Sequence, residues 1–210
     1  MMQQVESAKI KNIIFDFGNV LLNIDEQRSF DKLNELLDAE KCKDLDEIVI
    51  HPFERGEFSE EAFFNRLQRR SKKVLNGDLY YEAWNAMLQD FPANRIRFLQ
   101  ELRGRFKIFI LSNTNITHLR NVKRRIKIDH NIDDFDSYFD KCYYSHLIHM
   151  RKPEKRIYEF VLEDSNIKAD ETLFIDDKQE NLVPAKELGI YTYCHSPSED
   201  ISEVFSRIIF

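Results

Sequence analysis

Glycine and proline are scarce in this chain, five of each in 210 residues. That excludes collagen-like and linker-like compositions and argues for a packed, helix-rich protein with few long irregular loops. Cysteine is rarer still: Cys42, Cys142 and Cys194 are far apart, odd in number and form no CxxC pair. A disulfide framework is therefore not expected, and a reducing, cytoplasmic setting fits better. No apolar run approaches the length of a membrane span. The polar opening MMQQVESA has no apolar stretch of the signal-peptide kind. Positive charge is not in excess either, since 31 basic residues face 37 acidic ones for a net charge of −6. That argues against nucleic acid as the main partner.

Phenylalanine is plentiful, at 17 residues. The hydrophobic fraction of 42% and charged fraction of 32% are those of an ordinary globular protein. The length suffices for one core plus a small second lobe. Residues 12–15, 106–111, 172–175 and 190–193 are short, apolar and rich in branched or aromatic side chains, and they predict buried strands. Pro92 and Pro153 each open a helical pattern, the first carrying Ile96, Leu99 and Leu102 on one face before Gly104, the second carrying Ile157, Phe160, Val161 and Leu162. A third pattern runs from Asn181 to Leu188 and stops at Gly189. Strands alternating with helices predict an α/β fold with a parallel sheet and helical crossovers.

Between residues 25 and 91 the texture changes and no strand pattern appears. Phe30, Leu33 and Leu37 share a helical face. So do Phe63, Phe64 and Leu67, behind Ser59 as N-cap and Glu60 and Glu61 in the first turn. Tyr80, Trp84, Met87 and Leu88 make another. The expected organisation is an α/β core of residues 8–24 and 92–210 with a helical lobe, 25–91, inserted after the first strand.

Each of the first three strands ends on polar groups: Asp16, then Ser112 and Asn113, then Asp176 and Asp177. Open α/β sheets bind ligands beyond the carboxyl ends of their strands, so these groups are expected to converge, with Lys152 ahead of the Pro153 helix. The set suits a phosphate ester. Asp16 with Asp177 or Asp176 offers hard oxygen ligands for Mg2+. Ser112 can donate to a phosphate oxygen, and the N–H groups of Asn113 and Thr114, at a helix start, can bind another. Lys152 adds a point charge, and Asp16 can attack phosphorus. Taken singly, most of these have plainer readings: an Asp after a strand is usually a turn or cap, and a lone lysine is usually solvated. The acidic pair Asp176-Asp177 is stronger, since two such carboxylates repel unless a cation lies between them.

The segments IIFDFGNVLL, IFILSNTN, RKPEKRIYEF and LFIDDKQENL, in that order, resemble the four motifs of the haloacid dehalogenase-like (HAD) hydrolase superfamily. The inserted lobe resembles that of its helical-cap members (C1, subfamily I). The stretch FERGEFSEEAFF is similar to the cap of the branch containing α-D-glucose-1-phosphate phosphatases. The resemblance implies a Rossmann-like parallel-sheet core with helices on both faces plus an all-helical cap. It also implies a Mg2+-dependent phosphatase acting through an aspartyl-phosphate on a small phosphorylated metabolite, best matched to a sugar phosphate such as glucose-1-phosphate. Asp16 matches the nucleophile and a metal ligand. Ser112 matches the phosphate-binding hydroxyl, with Asn113 beside it, and Lys152 the lysine that neutralises nucleophile and phosphate. Asp177 matches a metal ligand, with Asp176 close by, and Asn181 a supporting residue.

One position departs from the pattern. Most phosphatases of the superfamily carry a second Asp, a general acid and base, where this chain has Gly18. Gly18 keeps the backbone carbonyl through which that residue binds Mg2+. Two alternatives follow: a metal-independent 2-haloacid dehalogenase, or a degenerate phosphate-binding protein without catalysis. Weaker signals are a Cys142, His146 and His149 set for zinc, which lacks a fourth ligand at a fitting spacing, and the basic run Lys123-Arg124-Arg125, which reads as a solvated helix face. Arg55, Glu57 and Trp84 are candidates for substrate contact from the cap.

Overall fold

A computed structural model of the chain describes residues 9–208. The polar residues 1–8, and with them the expected core boundary at residue 8, lie outside the described residues. The described residues open with β1 (Asn12–Phe15), followed by α1 (Glu26–Leu36), α2 (His51–Glu54), α3 (Glu60–Arg69), α4 (Gly77–Asn85) and α5 (Ala93–Leu102). Then come β2 (Lys107–Ser112), α6 (Ile116–His130), β3 (Lys141–Tyr144), α7 (Ser145–Ile148) and α8 (Lys155–Asp164). They end with β4 (Thr172–Asp176), α9 (Gln179–Glu187), β5 (Tyr191–Cys194) and α10 (Ile201–Ile208).

The five strands form one sheet in the order β3-β2-β1-β4-β5, with every pairing parallel. Alternation along each strand divides the apolar side chains between two cores, because successive residues point to opposite faces. Ile13, Phe15, Ile108, Ile110, Leu173 and Ile175 enter one cluster, and Ile14, Phe109, Leu111 and Phe174 the other. Both faces are thus covered, which is why these strands read as unbroken apolar runs. The chain leaves β1 to one side for β2 and β3, then returns to the other side for β4 and β5. The site-bearing ends of β1, β2 and β4 therefore meet at a topological switch point.

Three expected strands fall within a residue of their places, and the fourth is β1 itself. The strand β3 has no counterpart in the sequence reading. It is a four-residue edge strand, Lys-Cys-Tyr-Tyr, whose outer half is not buried. Its apolar signal is too short to stand out from the aromatic-rich loop around it.

Helices α1 to α4 pack around their own cluster, with Leu33, Val49, Phe53, Phe63, Leu67 and Tyr80 at its centre. Phe53 stacks on Phe63 with centroids 4.0 Å apart. Ser59 caps α3 as its spacing predicts, its side chain accepting from the Ala62 N–H. Phe30 is the exception on its face. It is 43% exposed and lines a cavity rather than the lobe's core.

Trp84 ties this lobe to α6. It stacks on His118 at 4.7 Å, and the imidazole Nε2 lies 3.0 Å from the Trp84 carbonyl. Burial pulls the His118 pKa down to about 4, outweighing the opposing effect of that carbonyl. The buried ring stays neutral while the unfolded chain takes up a proton, so stability is lost as pH falls from the ordinary histidine value toward the folded one. The prediction is a loss of roughly 3 kcal/mol of unfolding free energy across that window. Comparing denaturant unfolding of the parent with His118→Gln checks it. Equal pH slopes in the two proteins would refute it.

Candidate active site

Asp16 follows β1 directly, Asp176 is the last residue of β4, and Lys152 lies between α7 and α8. The lysine is 1% exposed, and its Nζ donates to Asp16 Oδ1 at 2.7 Å and to Asp176 Oδ2 at 2.6 Å. Burial alone would pull its pKa down, but the two carboxylates more than offset this and leave it raised. Asp16 is pushed the other way by the same burial. With Lys152 opposing and Asp176 adding to the effect, its pKa rises to about 7.

Asp176 is fully buried and held on all sides. Its Oδ1 accepts from the Lys178 N–H at 2.8 Å and from Asn181 Nδ2 at 2.9 Å. Asn181 thus anchors the acidic loop. Asp177 is freer: its Oδ2 accepts from Asn19 Nδ2 at 3.2 Å, and burial raises its pKa. Oxygens of Asp16, Asp176 and Asp177 all lie within 4.8 Å of one another. Lys152 and, at longer range, Lys178, itself paired with Glu26, leave the three carboxylates with surplus negative charge in a poorly solvated place. That donor set, hard oxygens with excess charge, fits a small divalent cation such as Mg2+.

Ser112, at the end of β2, is buried, lines a cavity of about 220 Å³, and its hydroxyl has no hydrogen-bond partner among the described residues. Gly18 and Asn113 share that wall. The Asn113 side chain is committed elsewhere. Its Nδ2 donates to the Lys152 carbonyl at 2.9 Å and its Oδ1 accepts from the Lys152 N–H at 2.8 Å. Thr114 corrects an expectation. Its N–H donates to Ser145 Oγ at 2.9 Å and is not available to a phosphate. The helix also begins later than expected, at Ile116, with Asn115 as its cap.

Gly18 has room for no side chain as things stand, since a Cβ there would lie 2.8 Å from Ile24 Cδ1. The place that a longer residue would take is filled by a movable isoleucine tip.

Other sequence signals resolve differently. Among the described residues, the aspartate triad is the one group of three or more His, Cys, Asp or Glu placed to hold a metal. The Cys142, His146 and His149 set does not assemble. His149 Nδ1 instead lies 2.8 Å from the Arg55 carbonyl. Arg55 and Glu57 pair with each other at 2.5 Å and do not line the cavity, whereas Trp84 does. In the basic run, Lys123 pairs with Asp136 and Arg125 donates to the Leu88 carbonyl, while Arg124 and Arg125 are exposed, as a solvated helix face would be.

Asn19 escaped the sequence reading. It adopts the left-handed conformation, φ 57°, which asparagine tolerates better than most residues. From there it reaches across to Asp177. Asn19→Gly preserves that backbone and releases Asp177. The prediction is a KM for Mg2+ raised by about tenfold, the lower range for loss of a supporting partner of a metal ligand. An unchanged Mg2+ titration of phosphate release would refute it.

A family model described as haloacid dehalogenase-like hydrolase matches residues 10–189. The chain belongs to that family and is a hydrolase of its phosphatase type. It is similar to a D-ribitol-5-phosphate phosphatase of Bacteroides thetaiotaomicron, 28% identical over 188 residues, 88% of this chain and 91% of the relative. It is also similar to a sesquiterpene phosphatase of Aspergillus oryzae, 28% identical over 86% of this chain and 87% of the relative. Among solved structures, a HAD family enzyme from Bacteroides thetaiotaomicron in complex with magnesium and inorganic phosphate superposes with a TM-score of 0.80 at 31% identity. That match covers 93% of this chain and 99% of the other. Among the described residues no helix is long and apolar enough to cross a membrane.

Proposed function

We propose that the protein is a Mg2+-dependent phosphomonoester hydrolase that forms an aspartyl-phosphate on Asp16. Its substrate is a small phosphorylated metabolite, in first place a sugar phosphate such as glucose-1-phosphate. The observation that carries this reading is the buried Lys152 bridging Asp16 and Asp176, with the unpartnered Ser112 hydroxyl on the adjoining cavity wall.

In this reading an Asp16 carboxylate oxygen attacks phosphorus and the ester P–O bond breaks. Lys152 fixes the orientation of Asp16 and compensates the charge that gathers on the transferring group. Ser112 donates to a phosphate oxygen, and Asn113 holds the Lys152 backbone in place. Asp16, Asp177 and Asp176, with the Gly18 carbonyl, are the ligands for Mg2+. When bound, the ion supplies neutralisation of the two anions that must meet. Water then cleaves the acyl-phosphate and restores Asp16. Residues 25–91 act as a cap over a core of 8–24 and 92–210, closing on substrate and excluding water.

Gly18 supplies no proton to the leaving oxygen. General acid catalysis is worth about a hundred- to ten-thousand-fold. A glycosyl-1-phosphate, whose leaving hydroxyl is more acidic than a simple alcohol, suffers least from its absence. The prediction is a kcat/KM for glucose-1-phosphate at least about a hundredfold above that for a simple alkyl phosphate. Gly18→Asp should narrow the gap, because Ile24 can swing aside. A faster wild-type turnover of alkyl phosphates would contradict the role assigned to Gly18. The proposed function itself is tested by phosphate release from a panel of sugar, nucleotide, flavin and aryl phosphates, with and without EDTA, and chloride release from haloacids as control. Release that persists in EDTA, or chloride in place of phosphate, would overturn it.

A further inference from the structure

The cavity beside Ser112 has a mixed lining. Part of it is apolar, including Phe30, Trp84 and Met87. It also carries two ion pairs, each joining the helical lobe to the α/β core. Arg151 Nε and Nη2 both lie on Glu54 Oε2, at 3.2 and 3.1 Å. Lys178 Nζ lies 2.8 Å from Glu26 Oε1. All four residues line the cavity.

The first pair is the more enclosed. Its side chains are 19% and 17% exposed, against 45% and 38% for the second. It is also fixed in place. Gly56, two residues after Glu54, has φ +66°, and a Cβ there would fall 2.2 Å from the His146 carbonyl. The adjoining Arg55 carbonyl meets His149. Glu54 is thus held against the segment that leads into Arg151 and Lys152. Yet the pair is incomplete. Glu54 Oε1 and Arg151 Nη1 have no hydrogen-bond partner among the described residues.

We infer that Glu54 and Arg151 form a hydroxyl-reading site for the alcohol half of the substrate, which makes a polyhydroxylated phosphate ester the preferred class. The argument rests on the phosphatase reading and deepens it. A carboxylate oxygen accepts from one hydroxyl while the neighbouring guanidinium donates to the next, so the pair matches a vicinal diol. The apolar side chains of the lining suit the C–H groups of the same molecule. A wholly apolar alcohol would seal a half-satisfied ion pair away from water, which is costly.

The test compares kcat/KM for a pentitol 5-phosphate, glucose-1-phosphate, phenyl phosphate and an isoprenyl phosphate. In Glu54→Gln, the ratio of either polyol ester to phenyl phosphate should fall about tenfold or more, through KM, as expected for a lost hydrogen bond to a charged group. Arg151→Gln should act in the same direction, and thermal melting reports whether either variant has simply unfolded. An equal fall for all esters, or no fall, would overturn the assignment. So would a wild-type preference for the isoprenyl ester. Phosphate release from none of the four esters by the parent would instead remove the phosphatase reading, and this inference with it.

Discussion

Asp16→Asn should lower kcat for phosphate release by on the order of 10⁴-fold or more, in the range seen when a covalent nucleophile is removed. The amide is nearly the same size, so the fold should persist. The substitution also replaces a carboxylate whose pKa is already raised to about 7 by burial, with Asp176 adding and Lys152 opposing. Removing that charge relieves repulsion with Asp176 and Asp177, and Lys152 keeps Asp176 as a partner. The variant should therefore be folded and inactive together. Phosphate release within a few-fold of the parent would exclude Asp16 as the nucleophile.

Lys152→Met should have the larger effect on stability. Among the described residues the ammonium is the one cation hydrogen-bonded to the two buried carboxylates, Asp16 and Asp176. Removing one partner of a buried ion pair costs about 3–5 kcal/mol, because the charge left behind is uncompensated. The sign of its pH dependence follows. With the lysine gone, burial and the neighbouring Asp176 and Asp177 act on Asp16 unopposed and raise its folded-state pKa further above the unfolded value. Asp16 then contributes stability below the unfolded pKa that is lost as pH rises through the folded one. In metal-free buffer the variant should be least stable near neutral pH and recover on acidification. Activity should fall as well, since both the orientation of Asp16 and the compensating charge are lost. A variant as stable as the parent at neutral pH would show that Lys152 is not the counter-ion that holds this site together.

The sheet was legible because strand and site share one signal. Residues Ile13, Ile14 and Phe15 are apolar on both faces since both faces are covered, and the run stops where Asp16 meets the site. The same holds for 172–175 before Asp176. Parallel order then brings the strand ends together without further information from the sequence. The rest depended on loops. Nothing in the local pattern says that the Asn113 amide grips the Lys152 backbone. Nor does it say that Ser145, 31 positions away in sequence, takes the Thr114 N–H. Asn19 and Glu54 belong to the same class, because their partners are fixed by tertiary placement, Asn19 across the core to Asp177 and Glu54 from the lobe to Arg151, and not by spacing along the chain. Gly18 was conspicuous by its missing side chain, but that Ile24 fills the space is a tertiary fact.

The claim that Asp16 becomes phosphorylated has a direct measurement. The parent enzyme, mixed with Mg2+ and an activated phosphate ester and quenched in acid during turnover, should carry the added mass of one phosphoryl group, mapped by peptide mass spectrometry to Asp16. The Asp16→Asn variant should carry none. A phosphoryl group on another residue, or turnover without any adduct in the quenched parent under conditions that preserve acyl-phosphates, would contradict the account.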